Sequence, residues 1–127
     1  MPEIHVLLVK PYAYPERITI QPELENLQQL VDGFIEATYP FDDPVAIVCN
    51  EEGKINGLPM NRALYDGSGN VCDVIAGNFL VVGLGEEDFT SLSDELMQKY
   101  EKRFHYPEDF LQIGDRIIVI RDDMGVR

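Results

Sequence analysis

The architecture is set by residues 4–33, IHVLLVKPYAYPERITIQPELENLQQLVDG. Residues 4–9 are apolar at every position except His5, which is typical of a central strand. The prolines and tyrosines of residues 11–15 predict a turn, and the β-branched run 17–20 predicts a strand that returns beside the first. After Pro22, leucines at helical spacing and a closing glycine predict a helix. This order of hairpin and helix favours an α+β fold.

The rest of the chain adds strands and a second helix. Strands are predicted at 34–39, 45–49, 71–75, 79–84 and 117–120, and Ser93 is suited to cap a helix that begins with Asp94 and Glu95. We therefore expect one α+β domain over residues 1–127, with a mixed β-sheet and two main helices. Residues 1–84 would form its core, and residues 85–127 would add a helix and a C-terminal strand that rejoins the sheet. The hairpin–helix–strand order also resembles that of ubiquitin-like β-grasp folds.

The charge is strongly negative and unevenly distributed. The chain of 127 residues has 23 Asp and Glu against 10 Lys and Arg, a formal net charge of -13. Residues 18–53 and 63–98 contain no Lys or Arg. Such a field repels a nucleic-acid backbone and attracts a cationic surface. The sequence therefore predicts no direct nucleic-acid binding and a protein partner with a cationic surface.

The composition also bears on the compartment. No apolar run approaches the roughly 20 residues that span a bilayer, and the first residues lack the regions of a signal peptide. Cys49 and Cys72 are too few for a disulfide framework, and each lies in an apolar, strand-like run, so we expect both to be buried and reduced. These features predict a cytoplasmic protein without membrane contact. The sequence leaves open its oligomeric state and whether residues 106–127 pack on this domain or on another subunit.

The most distinctive local sequence is that of residues 50–64, NEEGKINGLPMNRAL. It resembles the N-E-E-G-K-x-x-G-L-P-x-N-R-A-L segment of an uncharacterised domain family that bacteriophages and conjugative elements of Gram-positive bacteria encode. Residues 39–43, YPFDD, and 73–79, DVIAGNF, are similar to the family on either side. The resemblance runs from about residue 4 to residue 84. It implies a small accessory protein of a mobile element in a bacterial host and brings no established activity with it.

The same segment holds five candidate interaction residues, Glu51, Glu52, Lys54, Asn61 and Arg62. The planar guanidinium of Arg62 can hold a carboxylate or phosphate, and the Asn61 amide can donate and accept hydrogen bonds. One interpretation is a recognition site on an irregular loop. The other makes Arg62 an internal clamp that pairs with a nearby carboxylate and ties the loop to the sheet.

A second candidate interaction surface is the acidic patch formed by Glu86, Glu87 and Asp88, which follows a predicted strand. Residues 83–85 before it are similar to the start of a dinucleotide-binding turn. However, the third glycine is missing, and the acidic residues would repel a pyrophosphate. The carboxylates also lack the ligand spacing of an EF-hand loop. We therefore predict no cofactor and no metal site.

The sequence contains no recognised catalytic motif. G-x-S-x-G, H-E-x-x-H and P-loop patterns do not occur, and His5 and His105 lie far apart in sequence. The functional prediction is a non-enzymatic accessory protein that acts by protein contact, with inhibition of a host nucleic-acid-binding defence protein as the specific hypothesis. A face covered with carboxylates could imitate the phosphates of DNA. Two alternatives stay open, a small-molecule or protein binding module at residues 50–64 and an enzyme of unknown reaction.

Overall fold

The computed structural model describes residues 2–121. In this range the strands are β1 (Ile4–Val9), β2 (Glu16–Ile20), β3 (Ile35–Thr38), β4 (Val45–Asn50), β5 (Met60–Tyr65), β6 (Val71–Ala76), β7 (Phe79–Leu84), β8 (Phe89–Thr90), β9 (Glu108–Ile113) and β10 (Arg116–Arg121), and the helices are α1 (Leu24–Val31) and α2 (Asp94–Arg103). The predicted α+β class with two main helices is confirmed.

The main sheet has the strand order β2-β1-β7-β4-β3, and the short strand β8 pairs with β7. Every pairing among its described strands is antiparallel. The predicted mixed sheet is therefore wrong, because β7 enters between β1 and β4 and runs opposite to both. The ubiquitin-like arrangement fails for the same reason. Hairpin and helix occur in the predicted order, but the strand beside β1 is antiparallel, where a β-grasp sheet has a parallel one.

The main sheet is buried on both faces, which explains the predominantly apolar sequences of β1, β4 and β7. Successive residues of a strand point to opposite faces. On one face Val6, Val48 and Leu80 pack with Leu27 of α1. The opposite face packs against α2 and the β5–β6 hairpin, with Tyr100 in that cluster. The fold therefore has three layers with the main sheet in the middle.

Local chemistry explains where both helices begin and where α1 ends. Ser93 caps α2 as predicted, because its Oγ accepts a hydrogen bond from the Leu96 N–H at 3.2 Å. The N-cap of α1 is Glu23, so Pro22 lies just before the helix and not in its first turn. Asp32 ends α1 in the left-handed region, at a φ of 61°, which Asp tolerates better than most residues.

Two hairpins lie outside the main sheet, since the described part of β5 pairs with β6 alone and that of β9 with β10 alone. The predicted strand at 117–120 exists within β10. Its predicted return to the sheet is wrong, because β9, which the sequence analysis missed, is its partner. One cysteine prediction is also wrong. Cys72 is exposed, because no layer within residues 2–121 packs over the first half of β6, whereas Cys49 is buried as predicted.

Candidate functional site

The two acidic groups singled out in the sequence lie at opposite ends of the main sheet. Residues 51–52 directly follow β4, and residues 86–88 lie just beyond the end of β7. β4 and β7 are antiparallel, so that Val45 at the start of one is opposite Gly83 near the end of the other. Six strand residues span roughly 20 Å. The two groups therefore form separate surfaces and not one acidic face.

Glu86, Glu87 and Asp88 border an apolar depression, which we call the acid-rimmed groove. Its volume is about 320 Å³, and its apolar lining includes Leu24, Leu27, Tyr39, Leu84 and Phe89. Leu24 is 56% exposed and Tyr39 is 61% exposed. Apolar surface is therefore open to solvent directly beside the three carboxylates.

A tight turn between β7 and β8 presents the acidic residues. The Gly85 N–H donates to the Asp88 carbonyl oxygen at 2.9 Å, and β8 then pairs back on β7. A Cβ at Gly85 would lie 2.9 Å from that same oxygen, so the turn favours glycine here. Across the groove, α1 begins after Glu23, whose charge is favourable at a helix N-terminus. Within the described residues no Lys or Arg lines the groove.

Glu51, Glu52 and Lys54 line a smaller depression of about 240 Å³, which we call the loop cleft, together with Glu36 and Asp73. Lys54 Nζ lies 2.6 Å from Asp73 Oδ1, and the two side chains are 62% and 56% exposed. An ion pair this exposed adds little stability, because solvent and salt screen it. Lys54 can therefore exchange its partner for another anion at small cost.

Asn61 and Arg62 lie inside the protein, 0% and 1% exposed. All five N–H groups of Arg62 have acceptors. Nε and Nη2 donate to the Phe104 carbonyl oxygen at 3.2 and 3.0 Å, and Nη2 also donates to that of Ala13 at 2.7 Å. Nη1 donates to the backbone oxygen and to Oδ1 of Asn61 at 3.2 and 2.8 Å. The internal clamp is thus present, with carbonyl and amide oxygens as partners where a carboxylate was expected.

Asn61 extends this clamp to two further segments. Its Nδ2 donates to the carbonyl oxygens of Val9 at 2.9 Å and Gly77 at 2.8 Å. We call these two side chains the Asn–Arg clamp. They join β5 to the end of β1, to the turn between β6 and β7, and to the segments that contain Ala13 and Phe104. In this arrangement neither side chain faces a partner molecule at the surface.

Glu108 supplies negative charge near the clamp. Burial lowers the pKa of the Arg62 guanidinium, and the charge of Glu108 opposes that shift. Glu108 is itself only 5% exposed, and its Oε1 accepts a hydrogen bond from the Ala63 N–H at 2.8 Å. Desolvation raises the pKa of the nearby Tyr65, and Glu108 adds to that rise. Sequence reasoning missed Glu108, because a single glutamate in an unrecognised strand belongs to no pattern.

The clamp also positions an aromatic cluster that the sequence analysis did not identify. Two of the carbonyl groups held by Arg62, those of Ala13 and Phe104, belong to residues next to Tyr14 and His105. These two rings stack with centroids 4.7 Å apart, and the ring of Tyr106 meets that of His105 edge to face at 4.6 Å. The tyrosines and prolines of residues 11–15 are visible in the sequence, but their pattern predicted only a turn.

The described cysteines and histidines do not form a nucleophile–base pair. Burial, with smaller effects of Glu36 and Asp73, raises the pKa of Cys49 to about 11, so its thiol stays protonated at neutral pH. His5 Nδ1 lies 2.9 Å from the Thr19 hydroxyl, and the other histidine stacks on a tyrosine. Within residues 2–121, no group of three or more His, Cys, Asp or Glu side chains is placed to hold a metal ion. No helix of that range is long and apolar enough to cross a membrane.

Comparison with known families identifies the chain as a member of an uncharacterised family, as residues 50–64 led us to expect. The family model described as Domain of unknown function (DUF3846) matches residues 4–105, and the chain belongs to that family. The match extends past residue 84, where the sequence resemblance ended, and stops after α2 and before β9. No curated protein and no solved structure matches the chain.

Proposed function

We propose that this DUF3846 protein is a non-enzymatic accessory protein of a phage or mobile element. In the bacterial cytoplasm it binds a host nucleic-acid-binding defence protein through the acid-rimmed groove and competes with nucleic acid for the cationic surface of that protein. The observation that carries the proposal is the groove itself, in which three carboxylates border an open apolar floor.

The acid-rimmed groove offers what a basic, partly apolar protein segment needs. The apolar floor contributes about 25 cal/mol for each Å² that a partner covers. Glu86, Glu87 and Asp88 each accept charge-assisted hydrogen bonds, which Lys and Arg donate in short and strong geometry. Within the described residues no cation of the chain competes for these carboxylates. Cationic side chains on apolar stems are common where proteins contact phosphates.

The charge of the whole chain supports the same kind of partner. A formal charge of -13 draws basic surfaces toward the protein and keeps nucleic acid away. Because residues 51–52 lie at the other end of the sheet, the proposed competitor presents one compact acidic site and no long row of carboxylates. It would occupy a single phosphate-binding pocket or helix of its target.

The proposal is tested by charge reversal in two matched variants. The groove variant changes Glu86, Glu87 and Asp88 to Lys. The cleft variant changes Glu36, Glu51 and Glu52 to Lys and alters the net charge by the same amount. Each tagged protein is incubated with host lysate, and the retained proteins are identified by mass spectrometry at increasing salt.

We expect the parent and the cleft variant to retain the same nucleic-acid-binding proteins, which salt elutes because exposed charges are screened. The groove variant should lose them. Retention of proteins that are not nucleic-acid-binding, or retention that salt does not weaken, would contradict the proposal. So would equal binding by the groove variant and the parent.

A second candidate function uses the loop cleft as a binding module for a small molecule or another protein. The observation in its favour is the weakly held Lys54, which lies between acidic residues in a cleft of about 240 Å³. In the same experiment, loss of binding by the cleft variant with normal binding by the groove variant would assign function to this cleft.

A further inference from the structure

The C-terminal hairpin, formed by β9 and β10, has an apolar face that no described residue covers. In its register Leu111 lies opposite Ile118, and Ile113 lies opposite Arg116. Directly opposite residues of antiparallel strands point to the same side. The outer face therefore consists of Leu111, Ile113, Ile118 and Ile120, which are 48%, 56%, 43% and 44% exposed, together with Asp109 and Arg116.

The other face of the hairpin lies against the domain near the hairpin base, whereas Ile117 at its turn end is 42% exposed. Glu108 is buried and bonds to β5, and Phe110 and Val119 are half-buried. An antiparallel sheet with one buried face normally has polar residues on the other. Here the solvent side has four large aliphatic residues instead. A contiguous group of exposed aliphatic residues is typical of an interaction surface, so this composition indicates a partner on the outer face.

We propose that the outer face binds the outer face of a second copy of this chain in a two-fold symmetric dimer. In a symmetric contact the same patch serves both subunits and must be complementary to itself. The aliphatic residues in the centre of the patch meet their own equivalents. The two hairpins pack face to face, about 10 Å apart, as sheets do.

The charges at the two ends of the outer face favour this partner. Arg116 lies at the turn end of the hairpin, and Asp109 lies near its base. Neither side chain forms an ion pair within residues 2–121. A two-fold axis across the strands places the turn end of one hairpin over the base of the other. Arg116 of each copy then lies beside Asp109 of the other, which gives two symmetric ion pairs.

The area indicates a weak dimer. The four aliphatic residues are each only about half exposed, so together they offer far less than the approximately 800 Å² per partner of a standard stable interface. We therefore expect a dissociation constant in the micromolar range. Two copies with a net charge of -13 also repel each other, and this repulsion exceeds the small contribution of two exposed ion pairs, so added salt should strengthen the dimer by screening. Added salt should weaken the groove contact proposed above, so the opposite response to salt distinguishes the two proposals.

The test is sedimentation velocity of the full chain over a concentration series from about 5 to 500 μM, a range that brackets micromolar affinity. We expect a monomer–dimer equilibrium in the parent. Ile118→Asp should weaken it at least tenfold. Ile55→Asp, at an isoleucine that is 82% exposed in the turn after β4, is the matched control and should leave it unchanged. Far-UV circular dichroism verifies that both variants are folded.

A charge exchange makes the test specific for the two-fold arrangement. Arg116→Asp and Asp109→Arg should each weaken dimerisation, and the double variant should restore it, because the two ion pairs re-form with exchanged signs. A parent that stays monomeric throughout the concentration series overturns the proposal. Equal dimerisation of the Ile118→Asp and Ile55→Asp variants, or a double variant no better than the single ones, also overturns it.

Discussion

Replacing Arg62 with methionine removes the guanidinium of the Asn–Arg clamp while keeping much of the side-chain volume. The change leaves the carbonyl oxygens of Ala13 and Phe104 and the two oxygens of Asn61 without these donors. Each buried polar group left unpaired costs about 1–3 kcal/mol. The variant no longer desolvates a charge, which offsets part of this loss. We expect a net loss of about 3–5 kcal/mol in the free energy of unfolding.

The expected loss converts into a large change in melting temperature. At about 2.1 cal/mol/K per residue, a chain of this length has an unfolding entropy near 0.27 kcal/mol/K, so 3–5 kcal/mol lowers Tm by roughly 10–20 °C. Urea unfolding followed by far-UV circular dichroism gives the free energy, and thermal unfolding gives Tm. Arg62→Lys should be intermediate, because an ammonium has three donors and no planar fork.

Arg17→Met is the matched control for this prediction. Arg17 donates to Glu101 through Nε and Nη2 at 2.8 and 2.6 Å, but the two side chains are 51% and 32% exposed. Exposed pairs of this kind contribute little, so Tm should stay close to that of the parent. If Arg62→Met melts within about 2 °C of the parent, a shift that corresponds to well under 1 kcal/mol, the clamp does not hold the layers together and the reasoning is refuted.

Two further predictions concern titratable groups. At pH 8 iodoacetamide should modify Cys72 and leave Cys49 untouched, because burial raises the pKa of Cys49 to about 11; mass spectrometry should find one adduct in the native protein and two in urea, and a native double adduct would contradict this. Lys99 and the Tyr100 hydroxyl donate to Asp43, at 2.6 and 2.7 Å, and hold the pKa of its carboxyl below the ordinary 3.8. The resulting stabilisation is present above pH 3.8 and lost as the pH falls through the lower folded-state pKa. Asp43→Asn should thus be less stable than the parent at pH 7 and equally stable at strongly acidic pH in urea titrations; a difference that does not change with pH would argue against the assignment.

The sequence predicted those strands and helices that are specified by residues close together in the chain. β1 has the predicted bounds because five of its six residues are apolar, and this density specifies a strand buried on both faces. α2 begins after Ser93 because capping depends on residues three positions apart. β9 was missed because its sequence, EDFLQI, mixes charged and apolar residues without a clear period. Strand order was beyond prediction, since β7 pairs with strands that precede it by many residues.

In the candidate site, too, the features set by neighbouring residues were predicted and the contacts between distant residues were not. The acidic turn after β7 was found because both the strand and its charged end are visible in the sequence. The apolar floor beneath it was not, because Leu24 and Tyr39 reach the groove from α1 and from the segment after β3. Arg62 was identified as a residue of interest, but its partners were not, since Ala13 and Phe104 lie 49 and 42 positions away in sequence. No pattern in one sequence specifies contacts over such distances.

The central position of β7 has a consequence for how the chain is made. β1 and β4 both pair with β7, so the main sheet cannot close until the ribosome has produced residue 84. At roughly 5–20 residues per second, about 2–7 s pass between the completion of β4 and that of β7. During this interval β1 and β4 lack the strand that lies between them in the sheet. Residues 18–53 have eight carboxylates and no Lys or Arg, and mutual repulsion between such segments keeps neighbouring nascent chains apart until the sheet can close.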